Sequence, residues 1–223
     1  MTPHPLWALV PVKAFERGKS RLSPVLSDEA RTAFARALFD HVLDVVARSR
    51  AVEGVIVATD SLGVAAAARV RGAHALLDSV GPKTLASVVD AGLSVLAVRG
   101  ARGALVLMAD LPLLEVGDVH AVLSLLEEHT AVLVRAHDGR HTNALALAPP
   151  NGLRTAFGRA ESFAEHVSAA RAAGLRLIAF ENERLAFDVD LPEDHAWLLS
   201  RSADDRSNAL PFDERDPKSW ARS

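Results

Sequence analysis

Three sets of polar side chains in this 223-residue chain have types and spacings that could do chemistry. The first is acidic. Asp110 follows the unbroken apolar run Ala104–Ala109, and Asp188 and Asp190 alternate with Phe187 and Val189. In extended backbone, residues two apart face the same side, so Asp188 and Asp190 can converge on one cation. Ligands that are all oxygen select Mg2+, which commonly bridges substrate phosphates. The second set is basic: Lys13, Arg17, Lys19 and Arg21, opposed only by Glu16, a cluster that suits a triphosphate tail. Of 25 Lys and Arg residues, only Lys13, Lys19, Lys83 and Lys218 are lysine. A lysine kept against that bias can mark a place where a compact ammonium serves and a planar guanidinium does not. The third set lies in the second half. Thr142 in the polar loop His137–Asn143 can donate a hydroxyl hydrogen bond to a carboxylate or phosphate. Ser162 can cap a helix whose free N–H groups make an anion site.

Each set also has a purely structural reading. Asp110 can cap a turn before a helix that starts near Glu115. Asp188 and Asp190 can be loop acids, Asp190 helping to cap the last helix, and the basic stretch can be a solvated loop. Ser162 can cap a helix that binds nothing. His137 and His141 stand four apart, but Gly139 between them argues against a helix presenting both to zinc. They are read as loop or surface residues, and the remaining histidines suggest no site. A dinucleotide fingerprint needs three spaced glycines where this chain has only Gly18 after its first strand, and a Walker loop is absent.

Periodicity supplies the elements that must position these groups. Strands are predicted over Leu6–Val12, Val55–Thr59, Ala73–Leu77 (ending at Asp78), Ala104–Ala109, Ala131–Ala136, Asn143–Ala148 and Leu175–Phe180, with a further extended piece at Leu185–Asp190. Ser27 reads as the N-cap of a long helix carrying Phe34, Leu38, Val42, Val45 and Val46 on one face. Further helices are expected over Ser61–Val70, from Gly81-Pro82-Lys83-Thr84 to Val98, through Val116–Leu126, around Phe163–Ala170 and from Pro192 to Leu199. Strands and helices alternate in the first half, which implies parallel βαβ units. The closer strands of the second half allow antiparallel pairing. One domain over residues 1–200 and a polar tail over 201–223 is the expected division.

Bulk composition narrows the class. A net charge of −3 argues against holding nucleic acid mainly by charge. No apolar run reaches the length of a membrane helix, no basic signal region precedes Trp7, and cysteine is absent. A cytoplasmic protein without a membrane partner is expected.

The stretches Val10-Pro11-Val12-Lys13, Lys19-Ser20-Arg21-Leu22, Ala109-Asp110-Leu111-Pro112-Leu113-Leu114, Thr142-Asn143-Ala144-Leu145, Phe157-Gly158 with Ser162-Phe163, and Phe187-Asp188-Val189-Asp190 occur in order. Together they resemble the CofC-like guanylyltransferases of coenzyme F-420 biosynthesis. The resemblance implies an α/β, Rossmann-like three-layer sandwich of the MobA and nucleotide-diphospho-sugar transferase kind, its sheet mostly parallel. It also implies GMP transfer from GTP to a small phosphorylated acid: phosphoenolpyruvate, 2-phospho-L-lactate or 3-phosphoglycerate. By the same likeness Asp110, Asp188 and Asp190 hold Mg2+ and Lys13 lies at the phosphates, and Lys13, Lys19 and Arg21 are expected to offset charge on the leaving group. Thr142, Gly158 and Ser162 line the pocket for the acid, in a monomer or homodimer.

Three departures from the family pattern stand out. Thr84-Leu85-Ala86 replaces a Gly-Leu-Asn, His141 replaces a glycine, and the Gly158–Ser162 segment is one residue longer and carries Glu161, which would repel an anion unless it points away or pairs with Arg159. Alternatives to this function are a related nucleotidyltransferase with another acceptor and a non-catalytic nucleotide-binding paralogue.

Overall fold

The apolar run before Asp110 is buried on both faces because helices cover both sides of the sheet it belongs to. The computed structural model describes residues 5–77 and 84–204. Asp78, the segment Gly81–Lys83 and the tail beyond 204 lie outside the described residues. The strands are β1 (Leu6–Pro11), β2 (Gly54–Thr59), β3 (His74–Leu77), β4 (Gly103–Leu107), β5 (Thr130–Arg135), β6 (Thr142–Ala148) and β7 (Arg176–Ala179). They form one sheet in the order β3-β2-β1-β4-β6-β5-β7. All neighbouring pairs are parallel except β4–β6 and β6–β5, so β6 alone runs against the rest. The carboxyl ends of six strands therefore share an edge with the amino end of β6.

The helices are α1 (Asp28–Ser49), α2 (Leu62–Val70), α3 (Leu85–Val98), α4 (Val116–Ser124), α5 (Ser162–Ala172), α6 (Glu183–Ala186) and α7 (Pro192–Asp204). One face of the sheet packs Val10, Val57, Leu105 and Val132 against Phe39, Val42 and Val46 of α1, Val64 of α2 and Val119 of α4. The other packs Leu9, Ile56, Val106 and Leu145 against Val89 and Leu93 of α3 and Phe163 and Ala170 of α5. The three layers and the mostly parallel sheet are those expected. Ser27, Ser61 and Thr84 each accept the N–H three residues on, so each N-terminus begins where a capping side chain allows it.

A third, smaller core decides the geometry of the polar edge. Leu22, Phe34, Leu38, Phe187, Val189 and Leu198 pack together, all buried. They come from the loop after β1, from α1, from the segment after α6 and from α7. This one cluster seats both the basic loop and the Asp188–Asp190 segment.

Three expectations about elements are corrected. Leu185–Asp190 is not one extended piece: Asn182 Oδ1 accepts the Leu185 N–H at 2.9 Å and starts the short helix α6, after which the chain extends from Phe187. Ser162 is not a helix cap. Glu161 holds the cap position and Ser162 is the first helical residue, its hydroxyl used elsewhere. The last helix continues past Leu199 to Asp204, into the segment expected as tail, where Ser202-Ala203-Asp204 has no helix breaker.

Candidate functional site

Asp110 lies just past β4, where Pro112 prevents the strand from continuing. Asp188 and Asp190 follow α6, with Phe187 and Val189 turned into the small core. Alternation therefore sends the two acids to the opposite side even though the segment joins no sheet. Ligand oxygens of Asp110, Asp188 and Asp190 all lie within 4.8 Å of one another. The structural alternative for Asp110 is not what the fold uses: the Glu115 N–H is accepted by Asp118, at 2.9 Å. The last helix is likewise capped by Asp194, which accepts the N–H groups of Asp190 and Leu191.

Asp188 is held by two neighbours. Asn143 Nδ2 donates to its Oδ1 at 3.0 Å, and His137 Nδ1 lies 3.2 Å from the same oxygen, with His137 Nε2 3.2 Å from Asp194. Asn143 can do this because it is the extra residue of a bulge: Val134 pairs with Ala144 but Arg135 with Thr142. Burial and the negative charge of Asp110 push the Asp188 carboxyl up to about 6. Asp190 moves the other way. Burial opposes its charge, but Lys19, Arg21 and Lys13 outweigh burial and hold it below the usual carboxylate range.

The basic loop meets this cluster edge-on. It consists of two short 3-10 turns, Phe15–Arg17 and Ser20–Leu22, joined at Lys19 in the left-handed conformation (φ 50°). Phe15 anchors the first turn against Phe39, Leu22 anchors the second in the small core, and Arg31 of α1 donates to the Gly18 carbonyl. The Lys19 side chain is only 7% exposed, and its Nζ lies 2.5 Å from Asp110 and 3.1 Å from Asp190. Burial works against the ammonium, but Asp110 and Asp190 outweigh it and raise its pKa. Arg21 approaches Asp190 at 3.7 Å, Lys13 is exposed, and Arg17 pairs with Asp60 at 2.5 Å. Asp110 Oδ1 is buried without a hydrogen-bond partner among the described residues. An unsatisfied carboxylate oxygen inside a three-acid cluster suits a divalent cation, and the donor set, all oxygen, suits Mg2+.

A cavity of about 740 Å3 opens beside the cluster. Its floor is the carboxyl edge of the sheet (Pro11, Thr59, Met108), one wall is the basic loop with Lys13 and Lys19, and Thr84, Leu85 and Val88 of the α3 start form another. Asp110 and Asp190 reach it. Polar groups with perturbed pKa values at the strand-end crevice of an α/β sheet are where a ligand site is expected.

Thr142, Gly158 and Ser162 gather in a second place, on the α5 side of the sheet. Thr142 and Ser162 are both buried, and the Thr142 N–H donates to Ser162 Oγ at 3.1 Å. Gly158 takes φ +82°, and a Cβ there would stand 3.1 Å from the Cβ of Leu85, a wall residue of the cavity. Glu161 is exposed, and Arg159 pairs with Glu165 at 2.8 Å rather than with Glu161. Two histidines that the sequence left without a site do meet site residues: His137 bridges Asp188 and Asp194 at the acid cluster, and His166 touches Thr142 here. Only the position of His166 one turn after Ser162 hinted at this. His141 pairs with Asp138.

The model of the family described as "Guanylyl transferase CofC like" matches residues 6–210. A phosphoenolpyruvate guanylyltransferase of Sphaerobacter thermophilus is 37% identical over 188 residues, 84% of this chain and 89% of that protein. A 3-phospho-D-glycerate guanylyltransferase of Phenylobacterium zucineum is 35% identical over 190 residues, covering 84% and 86%. Among solved structures, a Desulfovibrio desulfuricans protein assigned as a nucleotide-diphospho-sugar transferase superposes with a TM-score of 0.75 over 97% of this chain and 94% of its own, at 15% identity. With its fold, its ordered motifs and the match across nearly its whole length, this chain belongs to the CofC-like guanylyl transferase family.

Proposed function

We propose that the protein transfers GMP from GTP to a small phosphorylated three-carbon acid and releases pyrophosphate, as a step in making coenzyme F-420. The acceptor is phosphoenolpyruvate, 3-phosphoglycerate or 2-phospho-L-lactate. The observation that carries this reading is that Asp110 and Asp190 of the three-acid cluster line one cavity together with Lys13 and Lys19 of the basic loop.

An oxygen of the acceptor phosphate attacks the α-phosphorus of GTP in line. The bond from that phosphorus to the bridging oxygen breaks, and pyrophosphate leaves with the electron pair. A phosphate monoester is already an anion near neutral pH, so no side chain has to remove a proton. Positioning and charge neutralisation are what the protein contributes. Asp110, Asp188 and Asp190 would hold Mg2+, which would supply Lewis-acid polarisation of phosphate oxygens. Lys13, Lys19 and Arg21 offset the charge growing on the pyrophosphate, Lys19 from a site where burial makes its charge count for more. Thr142, Gly158 and Ser162 hold the acid, with Gly158 leaving room beside Leu85.

Pyrophosphate release, measured with each nucleoside triphosphate against the three acids, tests the reading. Release with GTP and one or more of these acids is expected. Release with GTP and a sugar phosphate only, or with no acceptor at all, would overturn it.

A further inference from the structure

Thr142 and Ser162 are joined by a side chain to which the reaction above assigns no part. His166 of α5 is fully buried. Its Nε2 faces the Ala156 N–H at 2.8 Å, and its Nδ1 lies 3.0 Å from Thr142 Oγ1. A neutral imidazole carries one ring hydrogen. Because a backbone N–H points at Nε2, that nitrogen must accept, and the hydrogen sits on Nδ1. Burial keeps the ring neutral, its pKa pushed down to about 4. Thr142 Oγ1 therefore accepts from the ring and cannot donate to it. Ser162 Oγ likewise accepts, from the Thr142 N–H. Both hydroxyls are left with a hydrogen to give.

We infer that His166 is a positioning residue for the acceptor pocket: by donating to Thr142 it turns that hydroxyl into a fixed hydrogen-bond donor toward an anionic oxygen of the phosphorylated acid. This rests on the reading of Thr142 and Ser162 as acceptor contacts. The order of donors runs from the Ala156 backbone to His166, from His166 to Thr142, and from Thr142 to the ligand. Phe157 packs edge-on against His166, with ring centres 4.7 Å apart and the planes at 62°, and holds the ring in place. The other tautomer would set an Nε2 hydrogen against the Ala156 N–H, so the order has one direction.

Two substitutions separate the two ring nitrogens. His166→Gln can keep an acceptor where Nε2 was and loses the donor to Thr142. His166→Asn can keep a donor where Nδ1 was and loses the acceptor for Ala156. Steady-state kinetics with GTP and the acid are expected to give a KM for the acid raised ~3–10-fold in His166→Gln, the loss of one neutral hydrogen bond. The KM for GTP is expected to stay unchanged and His166→Asn to retain near-wild-type acid KM. In a Thr142→Val background, His166→Gln is expected to add nothing. Equal rises in both KM values, or a full additional rise on Thr142→Val, would overturn the inference by making His166 a general support of the fold.

Ring-nitrogen NMR on histidine-labelled protein reads the tautomer without any substrate, the His166 signal being assigned by its loss in His166→Gln. Hydrogen on Nδ1 is expected, and hydrogen on Nε2 refutes the donor order whatever the acceptor proves to be. Wild-type acid KM in Thr142→Val, with hydrogen on Nδ1, would instead bring down the acceptor-pocket reading and this inference with it.

Discussion

At the scale of single residues, the site sets charge against burial. Asp188 is held with its pKa near 6 by burial and by Asp110, whereas Asp190 is held low by Lys19 and its neighbours. Substituting Asp110→Asn or Asp188→Asn is expected to lower turnover by on the order of 10²–10³ or more. The thermal midpoint should stay within a few degrees of wild type, since each change also relieves like-charge repulsion. Turnover retained alongside a large fall in midpoint would make these acids structural. His166 gives a pH prediction with a definite sign. Its pKa falls from 6.5 unfolded to about 4 folded, so its contribution is complete above pH 6.5 and is lost as pH falls toward 4. The loss amounts to about 3 kcal/mol. Urea unfolding of wild type and His166→Gln should therefore give a stability gap that is widest near neutral pH and closes toward pH 4. A gap independent of pH would show that the ring is not buried neutral. The acids and the basic run were legible in the sequence as strand-end, alternating and clustered positions, and their gathering at one place was expected only from the family resemblance. His166 was not, because burial and a partner 24 positions away are tertiary facts.

At the scale of elements, the small core of Leu22, Phe34, Leu38, Phe187, Val189 and Leu198 sets the distance between the basic loop and the acidic pair. Leu22→Ala or Val189→Ala is expected to cost about 2–4 kcal/mol by chemical denaturation. The same variants should lose turnover beyond what the unfolded fraction explains, because Lys19 and Asp190 shift with their anchors. Unchanged specific activity of the folded fraction would mean that the anchors do not set the geometry. A second tie, Asp118 with Arg184 and Asn182, holds the start of α6. Helices with clear caps, such as α1 after Ser27, were legible in sequence. The segment 185–190 was read as one extended piece because its alternation is real from Phe187 onward, while the Asn182 cap that bends Leu185 into a helical turn lies outside the alternating stretch. The bulge at Asn143 leaves no local pattern, since it exists only relative to β5.

At the scale of the whole molecule, the antiparallel strand β6 brings Thr142 and Asn143 to the edge where the other six strands end. That one reversal joins the three-acid cluster to the pocket proposed for the acid. The α/β class and the parallel first half could be read from alternating elements. The insertion of β6 between β4 and β5 could not, because strand order is a long-range choice that hydrophobic periodicity does not encode. GTP with Mg2+ bound across this edge should raise the thermal midpoint by about 5–10 °C at ligand concentrations near a hundred times Kd, and excess EDTA should remove most of that shift. A shift with GTP unaffected by EDTA would separate nucleotide binding from the acidic cluster. The central claim, that Asp110, Asp188 and Asp190 form one divalent-cation site, is tested most directly by Mn2+ binding followed by electron paramagnetic resonance in wild type and in each Asp→Asn variant. One bound ion is predicted, with affinity weakened more than about tenfold by every one of the three substitutions. Wild-type affinity in any of the three would contradict the account.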